Sequence, residues 1–358
     1  MTPEVDVRPS FPDGVRPGIA IVGCGGVARD GHLPAYAKYG FNVVGLHDRT
    51  RAKAEELARL FSVPHVFSTL DDVLADAAVE IVDLATRVEG RVDLIRRALA
   101  AGKHVLAQKP LAEDTGDAAA VVAEADAAGL RLAVNQNGRW APAWRAATLL
   151  VERGAVGEVF AVTHLLDKAL DFVLDAPRVN ALEHFLIHDY LIHWIDISRC
   201  WLDGKAPASV RALEYRTPNQ PAATGGGWAG TVDVLYEDGS SASIRSVGRA
   251  VTARPSCRFW IHGTEGTIRG SVLHGSDFAE LERDGRVEPV PLEGAWWPDG
   301  FAGTMGELVS AIAQDREPFN SARHNVLSLE LTLAACRSAE HGGAAVDVPQ
   351  RRVPENTL

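Results

Sequence analysis

Short apolar runs alternate with segments of helical spacing along the first third of the chain. The predicted strands are Ile19–Val22, Asn42–His47, Glu80–Ala85, His104–Ala107 and Leu130–Val134. The predicted helices between them are Arg51–Phe61, Leu70–Ala75, Val92–Ala101 and Asp117–Ala128. Strands that alternate with helices at this spacing predict a doubly wound parallel sheet of the α/β class over residues 18–134.

Beyond residue 135 the pattern changes to strands with few helices between them. The strand candidates are Val159–Leu165, Ser209–Glu214, Gly230–Tyr236, Ser241–Gly248, Arg258–Ile261 and Thr267–Gly270. This succession predicts an α+β domain with a large, mostly antiparallel open sheet, closed by helices over Phe301–Gln314 and Val326–His341. The expected division is a tail (1–17), an α/β domain (18–134) and an α+β domain (135–358), and it leaves open whether the C-terminal segment packs back on the first domain.

Composition narrows the class of protein. A chain of 358 residues suggests two domains, and 46% hydrophobic with 23% charged residues is ordinary for a globular protein. The net charge of −11, without a basic block, argues against nucleic acid and membrane partners. Four scattered cysteines, no signal peptide and no apolar run of about 20 residues predict a cytoplasmic location.

The first strand runs into a glycine-rich turn that is typical of dinucleotide binding. Gly23, Gly25 and Ala28 fit the G-x-G-x-x-[GA] pattern, in which backbone N–H groups face a pyrophosphate. Asp48 follows twenty residues after Ala28, where a carboxylate meets the ribose of NAD. Arg49 and Arg51 could instead clamp a 2′-phosphate if Asp48 turned away, which makes NADP the alternative cofactor. A turn without a ligand is the other interpretation of this pattern.

Two further segments carry candidate catalytic groups. Lys109 follows an apolar strand and precedes a proline, at the end of the sheet where ligands bind. Asp189, His193 and Asp196 have the spacing of one polar stripe on an apolar helix, which suits a general base oriented by a carboxylate. A surface lysine and a half-buried structural histidine are the alternatives. His184 and His188 also share a face, but without a third ligand of recognisable spacing no metal site is predicted.

A third segment, Asn135–Trp140, follows the last predicted strand of the first domain. Its polar and aromatic residues could line a cleft or simply pack as a linker. The pair Trp296-Trp297 could cover a substrate, although tryptophans more often belong to cores and interfaces.

Together these motifs resemble the Gfo/Idh/MocA oxidoreductases. The resemblance rests on Gly-Cys-Gly-Gly-Val-Ala (23–28), on the run from Gly102 to Lys109-Pro110, and on Asp189-x-x-x-His193. It extends to Gly263–Ile268 and to the C-terminal Phe301–Val348. Gln108 stands where glutamate is commoner, Leu191 replaces a frequent glycine, and Arg87 and Arg91 stand where proline and histidine are usual.

The resemblance implies an NAD(P)-dependent dehydrogenase or reductase acting on a secondary hydroxyl, or ketone, of a sugar, cyclitol or related polyol. It implies that His193 accepts the proton, with Asp189 orienting it and Lys109 binding the reacting oxygen. The expected cofactor-binding residues are Gly23, Gly25, Gly26, Val27, Ala28, Asp48, Arg49, Thr86, Gln108, Lys109 and Asn137. The expected substrate contacts are Lys109, Trp140, His188, Asp189 and His193.

Two other functions remain open at this point. The same fold could serve a catalytically silent regulator that senses a dinucleotide or a sugar, since fold alone does not fix function. It could also serve an enzyme that uses NAD transiently through a keto-sugar intermediate. In each case a homodimer or homotetramer is expected, because an open sheet with helices on one face leaves an apolar face to cover.

Overall fold

The computed structural model describes residues 5–175, 181–273, 275 and 277–349. These residues form two compact units. The first, called here the Rossmann unit, consists of residues 7–142 and 293–329. The second, called the large-sheet unit, consists of residues 5–6 and 143–292 and the described residues from 330 onward.

The Rossmann unit contains five parallel strands in the order β2-β1-β3-β4-β5. They are β1 (Ile19–Val22), β2 (Val43–His47), β3 (Ile81–Leu84), β4 (His104–Gln108) and β5 (Leu132–Asn135). The helices are α1 (Leu33–Tyr39), α2 (Arg51–Phe61), α3 (Leu70–Ala75), α4 (Arg91–Ala100) and α5 (Thr115–Ala127). A π-helical turn, Ala28–His32, leads into α1, and a 3₁₀ turn, Asn137–Trp140, follows β5.

The hydrophobic core of the Rossmann unit includes residues from distant parts of the chain. Ile19, Ile21 and Leu106 from the sheet are fully buried in one cluster with Phe301 and Met305. The latter two belong to helix α8 (Trp296–Ala313). This helix lies so close that a Cβ on Gly31 would come within 2.5 Å of the ring of Phe301. The α8 helix is therefore an integral part of the Rossmann unit.

The large-sheet unit is built on nine strands in the order β13-β12-β11-β10-β6-β9-β8-β7-β14. They are β6 (Val159–Asp167), β7 (Pro207–Tyr215), β8 (Ala229–Tyr236), β9 (Ser241–Ser246), β10 (Ser256–Gly263), β11 (Thr267–Val272), β12 (Phe278–Arg283), β13 (Arg286–Val290) and β14 (Val346–Asp347). Neighbouring strands are antiparallel except for β6 and β9. Helix α7 (Ile192–Trp201) packs on β6 and β9, while α6 (Pro142–Glu152) and α9 (Ala322–Glu340) cross the boundary between the units.

The predicted fold class is confirmed, but several elements were missed. Helix α6 and strands β12, β13 and β14 were not predicted. Strands β12 and β13 read F-A-E-L-E-R and R-V-E-P-V, and they lie at one edge of the sheet. Charged residues and a proline are common in edge strands because they prevent pairing with further chains, and they also weaken the strand signal in the sequence.

Residues 7–17 of the N-terminal tail belong to the Rossmann unit. The ring of Phe11 lies 4.6 Å from that of Phe41, and Phe11 and Val15 pack against the core. Among the described residues, no helix has the length and apolar character needed to cross a bilayer.

Candidate active site

The glycine-rich turn after β1 has the geometry of a phosphate cradle. Gly23 has φ +101°, and a Cβ there would lie 2.8 Å from the carbonyl oxygen of Ala85, so the position requires glycine. A Cβ on Gly25 would meet no described atom within 4 Å, and Gly26 is equally exposed. Ala28 is buried at the start of the helical segment. This open turn at a helix start fits the pyrophosphate of a dinucleotide.

Asp48, at the end of β2, is fixed beside this turn. One carboxylate oxygen accepts the N–H of Cys24 at 2.8 Å, and the other accepts the N–H of Thr50 at 2.7 Å. The carboxylate is half-buried, and each oxygen retains a lone pair for a ribose hydroxyl. Arg49 is exposed, and Arg51 is bound to Glu55 at 2.7 Å. Burial, with the Asp48 charge adding to it, raises the pKa of the Cys24 thiol to about 12, so Cys24 is no nucleophile.

Lys109 lies just past β4, at the same edge of the sheet as the glycine-rich turn. It is half-buried, and its N–H donates to the side-chain oxygen of Gln108 at 3.1 Å. In the strand order, β1 and β4 are separated by β3 alone, which places their carboxyl ends about 10 Å apart across the sheet. That separation is within the span of a dinucleotide.

Arg91, one of the departures from the family pattern, forms hydrogen bonds with the backbone on both sides of Lys109. Its side chain is buried, and its guanidinium donates to the carbonyl oxygens of Gln108 (2.7 Å), Pro110 and Thr86. These carbonyls belong to the last residue of β4 and to the segments that follow β3 and β4. Arg87, the neighbouring departure, is exposed and pairs with Glu89 at 2.6 Å.

A buried polar network behind Gln108 was not anticipated from the sequence. Because the side-chain oxygen of Gln108 accepts the Lys109 N–H, its NH₂ group donates to Nε2 of His32 at 2.8 Å. Asn135 donates to the same nitrogen at 3.2 Å. With Nε2 as the acceptor, Nδ1 of His32 donates to Asp83 at 2.6 Å. Glutamine at 108 is the only trace of this network in the sequence and does not identify its partners, since it shows only that this side chain can donate where an ionised glutamate could not.

The segment with the second set of candidates is helical but not regular. A π-helical turn over Phe185–Tyr190 precedes α7, and the N–H of Leu191 donates to the carbonyl of Leu186 at 2.7 Å. Asp189 therefore lies in the π-helical turn and His193 in α7, instead of on one regular α-helix. We call the whole segment the 185–201 stretch.

Exposure separates the polar residues of the 185–201 stretch into two groups. His188, Asp189 and His193 are half-buried among fully buried apolar neighbours. Asp196 is 1% exposed, so it belongs to the core.

His184 has a local role in the large-sheet unit. Its ring nitrogens lie 3.7 Å from Glu214 and 3.5 Å from Glu340, and burial raises the pKa of Glu214. The N–H of His188 donates to the carbonyl of His184 at 2.8 Å. In the part of the chain that the structure describes, no three His, Cys, Asp or Glu side chains are arranged to hold a metal ion.

The segment after β5 mainly packs. Trp140 is 5% exposed and meets Phe319 edge-on at 6.2 Å, which favours packing over substrate contact. Asn137 accepts the indole N–H of Trp296 at 2.8 Å, whereas Trp297 is 45% exposed.

Two family models match this chain. One, for the oxidoreductase family with the NAD-binding Rossmann fold, covers residues 18–136. The other, for the GFO/IDH/MocA C-terminal domain, covers residues 144–269. Together they span more than half of the chain and both units.

Characterised proteins resemble the chain over most of its length. D-apiose dehydrogenase of Paraburkholderia graminis is 28% identical over 90% of this chain and 88% of its own. Inositol 2-dehydrogenase of Rhizobium meliloti is 25% identical over 87% and 94%. A crystal structure of an oxidoreductase from Agrobacterium radiobacter, in complex with NAD⁺, L-tartaric acid and magnesium, superimposes with a TM-score of 0.81 at 24% identity, covering 92% of this chain and 98% of its own. The chain belongs to the Gfo/Idh/MocA family of oxidoreductases, whose N-terminal domain binds NAD.

Proposed function

We propose that this protein is an NAD-dependent dehydrogenase that oxidises a secondary hydroxyl of a sugar, cyclitol or related polyol, or reduces the corresponding ketone. The observation that carries the proposal is the shared sheet edge, where the open glycine-rich turn after β1 and the braced Lys109 after β4 lie two strands apart. Relatives that act on D-apiose and inositol support the substrate class.

Each side chain has one role in the proposed reaction. His193 takes the proton of the substrate hydroxyl as the carbonyl forms, and Asp189 orients its imidazole. The ammonium of Lys109 donates to the same oxygen and stabilises the negative charge that develops on it. NAD⁺, when bound, accepts the hydride from the carbinol carbon. His188 contacts the substrate, and Gly23, Gly25, Gly26, Val27, Ala28, Asp48, Arg49, Thr86, Gln108 and Asn137 form the cofactor site.

A substrate panel tests the proposal. Aldoses, inositols, sugar acids and their keto forms are incubated with the protein and with NAD⁺, NADP⁺ or their reduced forms, and nicotinamide absorbance is followed. We expect turnover of at least one polyol with NAD⁺, and its loss in Lys109→Ala. Binding of cofactor and polyol without any turnover would identify a sensor instead, and product formation without net NADH would identify transient use of NAD.

A further inference from the structure

Lys168, in the large-sheet unit, has no role in the reaction described so far. It follows the last residue of β6 and is half-buried. Its ammonium lies 5.2 Å from the ring centroid of Tyr190 and 5.6 Å from that of Phe172. The lysine thus rests on two aromatic faces, one of them within the 185–201 stretch.

The positive charge of Lys168 has no counter-ion among the described residues, where its only polar or ring contacts are these two aromatic faces. The carboxylates of Asp167 and Asp277 act on the nearby thiol of Cys257 rather than pairing with the lysine. Burial raises the pKa of that thiol to about 12, so it is neutral and supplies no negative charge. By contrast Lys205, in the same unit, pairs with Glu158 at 2.7 Å.

An unpaired cation in a partly buried position is unfavourable, because it has lost hydration without gaining an opposite charge. Burial correspondingly lowers the pKa of Lys168. The two aromatic rings compensate for part of the hydration that the ammonium of Lys168 has lost. What would complete this environment is an anion that the described residues do not supply.

The position of Lys168 relates it to the proposed catalytic groups. Tyr190, on which it rests, lies in the 185–201 stretch one residue after Asp189 and three residues before His193. The stretch itself continues into α7, which packs on β6, the strand that ends just before Lys168. All of these residues belong to the large-sheet unit.

We propose that Lys168 binds the carboxylate of the substrate, and that the substrate class is accordingly a polyhydroxy acid such as an aldonate or a uronate. The inference rests on the proposed function, since it takes the Asp189–His193 stretch as part of the substrate site. A single lysine suits a monoanion better than a phosphate, which usually draws several donors. Because the whole protein carries a net charge of −11, an anionic substrate requires such a local cation.

Calorimetry of the full-length protein with NADH bound tests this assignment without requiring turnover. The ligands are pairs that differ in the carboxylate, glucose with glucuronate and galactose with galacturonate, together with gluconate and glucose 6-phosphate. We expect at least one acid to bind roughly tenfold or more tightly than its neutral partner. Lys168→Met should abolish that preference with little effect on the neutral sugar, and Lys168→Arg should retain it. Lys205→Met is the matched control and should leave the preference unchanged.

Three results would overturn the assignment. They are equal binding of acid and neutral sugars by the wild type, tighter binding of the phosphate than of any acid, and equal weakening of all ligands by Lys168→Met in a protein whose thermal unfolding is unchanged. The proposed dehydrogenase activity and the proposed anion site can be contradicted independently of each other. An acid that binds through Lys168 and is never oxidised contradicts the dehydrogenase and supports the anion site. Oxidation of a polyol by a wild type that binds acid and neutral sugars equally contradicts the anion site and supports the dehydrogenase.

Discussion

At the scale of single residues, His193 is the group on which the proposed chemistry depends most. His193→Ala should lower kcat by roughly 10²–10⁴-fold, the usual contribution of a positioned acid–base group, because the hydroxyl proton then has no acceptor. NAD affinity, measured by fluorescence titration, should change little. His341→Ala removes an exposed histidine and serves as the control. If the His193→Ala protein turns over its substrate at the wild-type rate, His193 is not the base, and His188 is the next candidate for that role.

Asp48 should set the preference for NAD over NADP. Its carboxylate is held by two backbone N–H groups, so it cannot easily turn away from a 2′-phosphate that it repels. Titration of both cofactors should show tighter binding of NAD, and Asp48→Ala should narrow the difference. Tighter binding of NADP by the wild-type protein would instead point to Arg49 as a phosphate ligand.

His164 should make the protein sensitive to acid. It is 1% exposed, bonds to Ser198 at 3.1 Å, and burial lowers its pKa to about 3. The unfolded chain takes up this proton near pH 6.5 and the folded chain does not, so stability falls as the pH drops from about 6.5 towards 3. Between about pH 7 and about pH 5 the loss from this residue is about 2 kcal/mol.

Urea unfolding of the wild type and of His164→Gln at both pH values measures this contribution. The free energy of unfolding should depend less on pH in the variant, because the other titrating groups are unchanged. Parallel pH dependences for the two proteins would show that His164 takes up its proton alike in the folded and the unfolded chain.

At the scale of elements, Arg91 ties the segments after β3 and β4 together. Arg91→Met removes the donors for three carbonyls, and a displacement of Lys109 of about 1 Å can cost up to about 100-fold in rate. We expect a lower kcat, nearly unchanged NAD affinity, and partial recovery in Arg91→Lys. Arg87→Met, at an exposed neighbouring arginine, is the control. If Arg91→Met lowers the unfolding temperature without changing kcat, Arg91 stabilises the fold and does not position Lys109.

Whether a contact could be predicted from the sequence depends on how far apart the two residues lie along the chain. Gly23, Gly25 and Asp48 fall within one βαβ unit, so a local pattern identifies them. The network around His32 could not be predicted, because Asp83 and Asn135 lie 51 and 103 residues further along the chain. The π-helical turn before α7 was not predicted for another reason. An analysis of periodicity assumes a regular helix, and the order of polar residues does not show where the helix becomes irregular.

At the scale of the whole molecule, the open sheet of the large-sheet unit predicts self-association. Its strands alternate buried and outward residues, and Leu213 and Leu235 remain 46% and 50% exposed on the outward positions of neighbouring strands. A second copy of the chain, packed against this face of the sheet, is the simplest way to bury these leucines. Light scattering at micromolar concentration should give the mass of a dimer or tetramer.

Substitutions on the sheet make that prediction sharper. Leu235→Glu places a charge on the outward face and should shift the mass towards the monomer. Leu60→Glu, at a leucine 62% exposed on α2, should leave the mass unchanged. A wild-type protein with a monomeric mass would contradict the prediction.

The contribution of α8 to the Rossmann core has a consequence for biosynthesis. When a ribosome has released residues 1–142, the five-stranded sheet is complete, yet the cluster around Ile19 and Ile21 still lacks Phe301 and Met305. At about 5–20 residues per second Phe301 and Met305 emerge roughly 8 to 33 s later. During this interval the nascent chain exposes apolar surface that chaperones recognise, so folding of the first half is governed by the synthesis of the last.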